Sequence, residues 1–172
     1  DARRIVLSTP LVNKPGAVFV YSDLGADVLA WVVEAISGLS LDTYLSERVF
    51  KPLGMNDTFY NPPDSVRYRV APTEVAPPRR YPLKGEVHDE NAFALGGVAG
   101  HAGLFSTASD LAIFAQMMLN GGEYDDVRIF SDSTVALFTR RSAGTGALGW
   151  DTAAGDGGSG EYLTVSAFGH TG

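Results

Sequence analysis

The sequence predicts an α+β chain in which helices dominate. Two observations carry that reading. Apolar residues recur at three- and four-residue spacing from Leu24, Leu41 and Leu111, while extended apolar runs are few and short. Glycine- and proline-rich stretches punctuate these segments. The length of 172 residues and a hydrophobic content of 45% are enough for one core of ordinary domain size.

Residues 5–12 form a short apolar stretch broken by Ser8-Thr9-Pro10, and Asn13-Lys14-Pro15-Gly16 is a turn signal. Residues 17–21 are predicted to be extended. A helix follows from Leu24, with Leu24, Val28, Trp31, Val32, Ala35 and Ile36 on its buried face, Ser22 or Asp23 as N-cap and Gly38 as its stop. A second helix starts at Leu41 after Ser40, with Leu41, Tyr44, Leu45 and Val49 on one side, and ends at Lys51-Pro52. Six of the nine prolines fall in residues 61–85, which therefore form a long irregular loop. Gly96-Gly97-Val98-Ala99-Gly100-His101-Ala102-Gly103 allows close backbone packing. Thr107 and Asp110 resemble a capping box, opening a helix whose buried stripe is Leu111, Phe114, Met117 and Met118 and whose end is Asn120-Gly121-Gly122. Residues 131–138 form a shorter helix. Residues 148–152 and 163–168 are predicted strands, separated by a loop over 154–160.

The formal net charge of −7 argues against a nucleic-acid partner, because phosphate binding needs clustered Lys and Arg. Arg67-Tyr68-Arg69 and Arg79-Arg80-Tyr81 lie among prolines and are expected to be solvated loop. No apolar run is long enough to span a bilayer. Without cysteine, disulfides, thiolate zinc sites and a thiol nucleophile are excluded. His88-Asp89-Glu90 and His101 are metal-ligand types, but their spacing matches no short zinc motif, so no metal or other cofactor is expected.

Chemistry is expected around Tyr21-Ser22-Asp23, where a phenol stands at the mouth of a helix with its oxygen able to face a cleft. A phenol titrates near pH 10 in isolation, so it acts as a base at neutral pH only when a cation or hydrogen-bond donors stabilise the phenolate. Pro52-Leu53-Gly54-Met55, Gly103-Leu104-Phe105-Ser106-Thr107-Ala108 and His170-Thr171-Gly172 follow in order. Together these motifs resemble the penicillin-binding-protein and class C β-lactamase superfamily of serine hydrolases over nearly the whole chain.

That resemblance implies a β-lactamase/transpeptidase-like fold, represented here mainly by its helical region with part of its antiparallel sheet. It also implies an acyl-enzyme mechanism on an amide or ester, in which Tyr21 is the general base beside the lysine of a Ser-x-x-Lys motif. No serine in this sequence has lysine three positions later. Residues 1–172 are therefore expected to be a partial domain that lacks the nucleophile segment and the closing strands, and to be inactive alone. Asp23 replaces the family's usual asparagine, exchanging an amide that donates and accepts for a carboxylate that only accepts. It is expected to meet substrate, to cap the helix, or both. His170 replaces a permanently charged lysine, and His170, Thr171 and Gly172 are expected to line the substrate cleft. These departures shift the expectation from penicillins toward esters and amides, including cell-wall peptides. His101 is placed near the cleft as a further substrate contact, with plain packing as the competing role. The resemblance also implies an extracytoplasmic location and a small-molecule or peptide partner. The alternative is a non-catalytic binding module that kept the fold and lost the nucleophile.

Overall fold

The computed structural model of the chain describes residues 2–142, 146–153, 163–164 and 166–170. Two compact units are present, one formed by Asp1–Pro15 with Val20–Ile113 and the other by Gly16–Phe19 with Phe114–Gly172.

In the first unit, α1 (Ala2–Ser8) occupies part of the stretch expected to be merely apolar. Residues 17–21, predicted to be extended, enter no ladder among the described residues. α2 (Asp23–Ser37) begins one residue earlier than predicted and ends at Gly38, whose φ of 71° lets its N–H return to the Glu34 carbonyl. The face predicted to be buried is only partly so, since Leu24 and Val32 are each 45% exposed and Ile36 is 83% exposed. The buried positions of α2 are Asp27 and Ala30.

α3 (Leu41–Leu45) continues into a π turn over Ser46–Phe50 instead of running on as one regular helix. The wider turn places Val49 and Phe50 inside, and Leu53 and Met55 of the Pro52-Leu53-Gly54-Met55 motif are buried beyond it. β1 (Phe59–Tyr60) pairs antiparallel with β2 (Leu104–Phe105), with Phe59 opposite Phe105 and Tyr60 opposite Leu104.

The proline-rich loop holds one helical turn, α4 (Asp64–Arg67), and is fixed by side chains. Arg69 donates to both carboxylate oxygens of Asp57 at 2.7 Å. The buried Arg79 donates to the carbonyls of Val87 and His88, each at 2.7 Å, and its guanidinium lies 4.2 Å from the centre of the Phe93 ring. Phe93 belongs to α5 (Glu90–Ala94), which the sequence did not predict. Val87, Ala92 and Ala99 form a buried apolar cluster, with Leu95 and Ala102 packed on it.

α6 (Ala108–Leu119) opens as predicted, with the Asp110 N–H donating to Thr107 Oγ1. The Asp110 carboxylate does not complete a capping box, because it accepts from the backbone of Asp57 and the hydroxyl of Thr58.

In the second unit Met117, Met118 and Val135 are buried. A tight hairpin joins β3 (Glu123–Tyr124) to β4 (Val127–Arg128), its two turn residues Asp125 and Asp126 both at positive φ, as such turns require. α7 (Asp132–Thr139) is capped by Ser131, whose hydroxyl accepts from the Thr134 N–H. β5 (Asp151–Thr152) lies inside the strand predicted over 148–152 and pairs antiparallel with β6 (Phe168–Gly169), which shares only Phe168 with the strand predicted over 163–168. Trp150 stacks on Phe114 and meets the Phe168 ring edge-on at 5.2 Å. The loop predicted over 154–160 lies outside the described residues.

Candidate active site

Ser22 has an extended backbone at φ −155° and ψ 119°, and its carbonyl accepts from the N–H groups of Gly25 and Ala26. Ser22 therefore holds the N-cap position, although its side chain makes no cap hydrogen bond. Asp23 is the first helical residue, where a carboxylate is favoured by the positive end of the helix dipole. Tyr21, immediately before the cap, is 70% exposed.

One helical turn beyond Asp23, Asp27 is buried together with its partners. Its Oδ1 accepts from the Gly100 N–H at 2.9 Å and lies 2.9 Å from His101 Nδ1. The other ring nitrogen of His101, Nε2, lies 3.0 Å from Asp89 Oδ1. That oxygen also caps α5, accepting from the N–H groups of Asn91 at 2.9 Å and Ala92 at 2.8 Å. The side chains of Asp27 and His101 are each only 4% exposed. Both imidazole nitrogens are thus occupied by carboxylates of this chain.

Burial is the largest single influence on His101 and opposes its protonation, but the hydrogen bonds and charges of Asp27 and Asp89 together outweigh it and hold the imidazole above its ordinary pKa. Burial likewise works against ionisation of Asp89. The Ala92 N–H, the hydrogen bond and charge of His101 and the Asn91 N–H prevail and hold that carboxyl below its ordinary value. Nearby, the Tyr60 hydroxyl donates to the Ala99 carbonyl, and its pKa is pushed up to about 12 by burial and by the charges of Asp42 and Asp27.

Sequence reasoning singled out His101 and passed over Asp27. The signal was present, because Asp27 falls on the same helical stripe as Leu24 and Trp31. A carboxylate on an apolar stripe needs a buried partner. Among the described residues, no group of three or more His, Cys, Asp or Glu side chains is arranged to hold a metal ion. His170 follows β6 and is exposed, whereas Thr171 and Gly172 lie outside the described residues.

The Beta-lactamase family profile matches residues 1–172. The chain belongs to the beta-lactamase family. Over 162 residues it is 42% identical to a Salmonella schwarzengrund (strain CVM19633) protein named "Putative D-alanyl-D-alanine carboxypeptidase", covering 85% of this chain and 38% of the relative. The chain thus spans well under half the length of the curated relatives it matches. A penicillin-binding protein homologue from Caulobacter crescentus aligns at a TM-score of 0.65 and 20% identity, covering 95% of this chain and 49% of that one. A D-amino acid amidase from Ochrobactrum anthropi aligns at a TM-score of 0.58 and 18% identity, covering 81% of this chain and 41% of that one. The α+β, β-lactamase/transpeptidase-like fold expected from the motifs is the fold of this beta-lactamase-family chain. No single helix among the described residues is long and apolar enough to cross a membrane.

Proposed function

We propose that residues 1–172 form the tyrosine-bearing part of a serine hydrolase that cleaves an amide or ester, with the nucleophilic serine supplied by polypeptide outside this stretch. The observation that carries the reading is Tyr21, exposed at the N-terminal mouth of α2 in a chain of the beta-lactamase family.

In this reading the Tyr21 phenolate, stabilised by the lysine of an external Ser-x-x-Lys, takes the proton of the serine hydroxyl as its oxygen attacks the substrate carbonyl. The proton passes to the leaving amine or alkoxide as the scissile bond breaks. Water then attacks the acyl-enzyme, the bond from the acyl carbon to the serine oxygen breaks, and a proton from the water passes through the Tyr21 oxygen to the serine as the carboxylate product leaves. Asp23 accepts a hydrogen bond from the substrate or faces the catalytic lysine. His170, Thr171 and Gly172 line the substrate site and contribute to the oxyanion pocket. The name of the 42%-identical relative favours a peptide ending in D-alanyl-D-alanine, and with it a site of action in the cell envelope.

The test is to label the full-length protein with a fluorophosphonate or penicillin probe and map the adduct. An adduct on the serine of a Ser-x-x-Lys preceding Asp1 supports the hydrolase. A full-length protein without such a serine that also resists both probes is instead a binding module retaining the fold. Parallel assays with nitrocefin, a short-chain nitrophenyl ester and a muramyl peptide would assign the substrate class.

A further inference from the structure

Among the described residues, none before Asp27 is buried. The first buried residue of α2 is Asp27, one turn beyond the end that carries Tyr21 and Asp23. Its anchor has two parts. Gly100 lies so close to α2 that a Cβ on it would overlap the Ala26 carbonyl, and its N–H reaches the Asp27 carboxylate. His101 continues from Gly100 and bridges Asp27 to the cap of α5.

The two ring contacts bear on the charge of this bridge. Ionised carboxylates only accept, so a histidine facing one through each ring nitrogen donates at both, and only the imidazolium does so. A neutral ring would set one nitrogen lone pair against a carboxylate oxygen. We propose that His101 is a positioning residue, an imidazolium clasp between Asp27 and Asp89 that fixes the first turn of α2 and with it the placement of Tyr21 and Asp23. For its catalytic consequence, the proposal rests on the serine hydrolase reading above.

The groups facing the clasp come from four elements. Asp27 reaches it from α2 and Asp89 from the cap of α5. Tyr60 of β1 lies behind it on the Ala99 carbonyl, and its raised pKa keeps it neutral through the physiological range. Arg79 supports the approach to Asp89 by holding the carbonyls of Val87 and His88. His88 itself is turned toward Glu74, 4.0 Å away.

The test uses the full-length protein and its His101→Gln and Asp89→Asn variants. The second keeps an acceptor for the α5 cap at a side chain that is 34% exposed, and so guards against a first variant that fails to fold. In the wild type, ¹⁵N NMR should find both ring nitrogens of His101 protonated at about pH 7.5, where an ordinary histidine is mostly neutral. In His101→Gln, amide exchange at Gly25, Ala26 and Asp27 should quicken by about tenfold while α7 is unchanged. On a nitrophenyl ester, kcat should fall by about tenfold with KM within about twofold, because a misplaced base costs rate more than binding. Asp89→Asn should lower the pKa of His101 and give the same local pattern at about a third of the size.

A neutral His101 at that pH, exchange that quickens equally in α2 and α7, or variants with wild-type exchange and turnover would each overturn the clasp. If the wild type neither hydrolyses substrate nor labels, the hydrolase reading fails, and the exchange data alone still decide whether His101 holds α2.

Discussion

Asp110 Oδ2 sits 2.7 Å from Thr58 Oγ1, a buried contact between residues 52 positions apart. The same oxygen accepts the Asp57 N–H at 2.9 Å, and Thr58 also meets the Ser106 hydroxyl at 2.7 Å. One carboxylate at the start of α6 thereby ties the segment leading into β1 to the segment following β2. Its position in the Ser106-Thr107-Ala108 motif region has a structural explanation that needs no contact with substrate.

Asp110→Ala removes the acceptor for two donors, leaving the Asp57 N–H unpaired and the Thr58 hydroxyl with Ser106 alone. The variant should lose about 2–3 kcal/mol of unfolding free energy, and Thr58→Val about 1 kcal/mol, since an orphaned buried donor costs more than a lost pair. Urea denaturation of the full-length protein measures both. Equal losses would mean that the Asp57 N–H finds water.

The clasp predicts a pH dependence with a definite sign. The pKa of His101 is raised by folding, so its stabilisation is complete below the unfolded value of about 6.5 and disappears as pH climbs through the folded one. The pKa of Asp89 is lowered, so its stabilisation is complete above the unfolded value of about 3.9 and disappears as pH drops through the folded one. The Tm difference between wild type and His101→Gln should therefore be widest between about pH 4 and 6.5 and should narrow toward alkaline pH. A difference that widens above neutrality would contradict the assigned charge.

Several helix boundaries were legible because a local interaction decides them. Ser131 and Thr107 each hold a backbone N–H three residues on, as cap chemistry requires, and Gly38 closes α2 through its left-handed backbone. Reading failed where distant chain decides. Asp110 looked like the second half of a capping box, yet its side chain leaves the helix for Thr58. The helix from Leu41 carries a π turn because Val49, Phe50, Leu53 and Met55 must all turn inward, a demand that three-and-four spacing does not reveal. At the candidate site, His101 stood out in its glycine-rich run, but its two carboxylates lie 74 and 12 positions away. No spacing rule joins residues so separated.

Gly100 and Gly38 separate two uses of glycine. At Gly38 the backbone is at φ 71° with open space around it, so alanine there meets only conformational strain and should cost about 1 kcal/mol. At Gly100 no positive φ is involved, but a Cβ would run into the Ala26 carbonyl. Gly100→Ala must push the loop off α2, with an expected loss of about 1–3 kcal/mol and a weakened grip on Asp27. Thermal melts of the two variants, with amide exchange at Ala26 and Asp27, distinguish a general loss from a local one. Only Gly100→Ala should quicken exchange there.

Tyr21→Phe is the sharpest test of the proposed chemistry, because it deletes one hydroxyl from a side chain that is 70% exposed. The variant should keep the wild-type Tm to within about 1 °C, as surface substitutions generally do. In the full-length protein kcat should nevertheless fall by about 10²–10⁴, the usual contribution of a general base. The acylation step should carry the loss, so a penicillin or fluorophosphonate probe should label the variant more slowly by a similar factor. Turnover then falls in both variants, further in Tyr21→Phe, while local stability responds only in His101→Gln. Tyr21→Phe spares the fold and removes the base, whereas His101→Gln loosens the fold locally and leaves the base in place but poorly held. Turnover near the wild-type rate in Tyr21→Phe would remove the phenol from the mechanism and leave its exposure at the mouth of α2 without a catalytic reason.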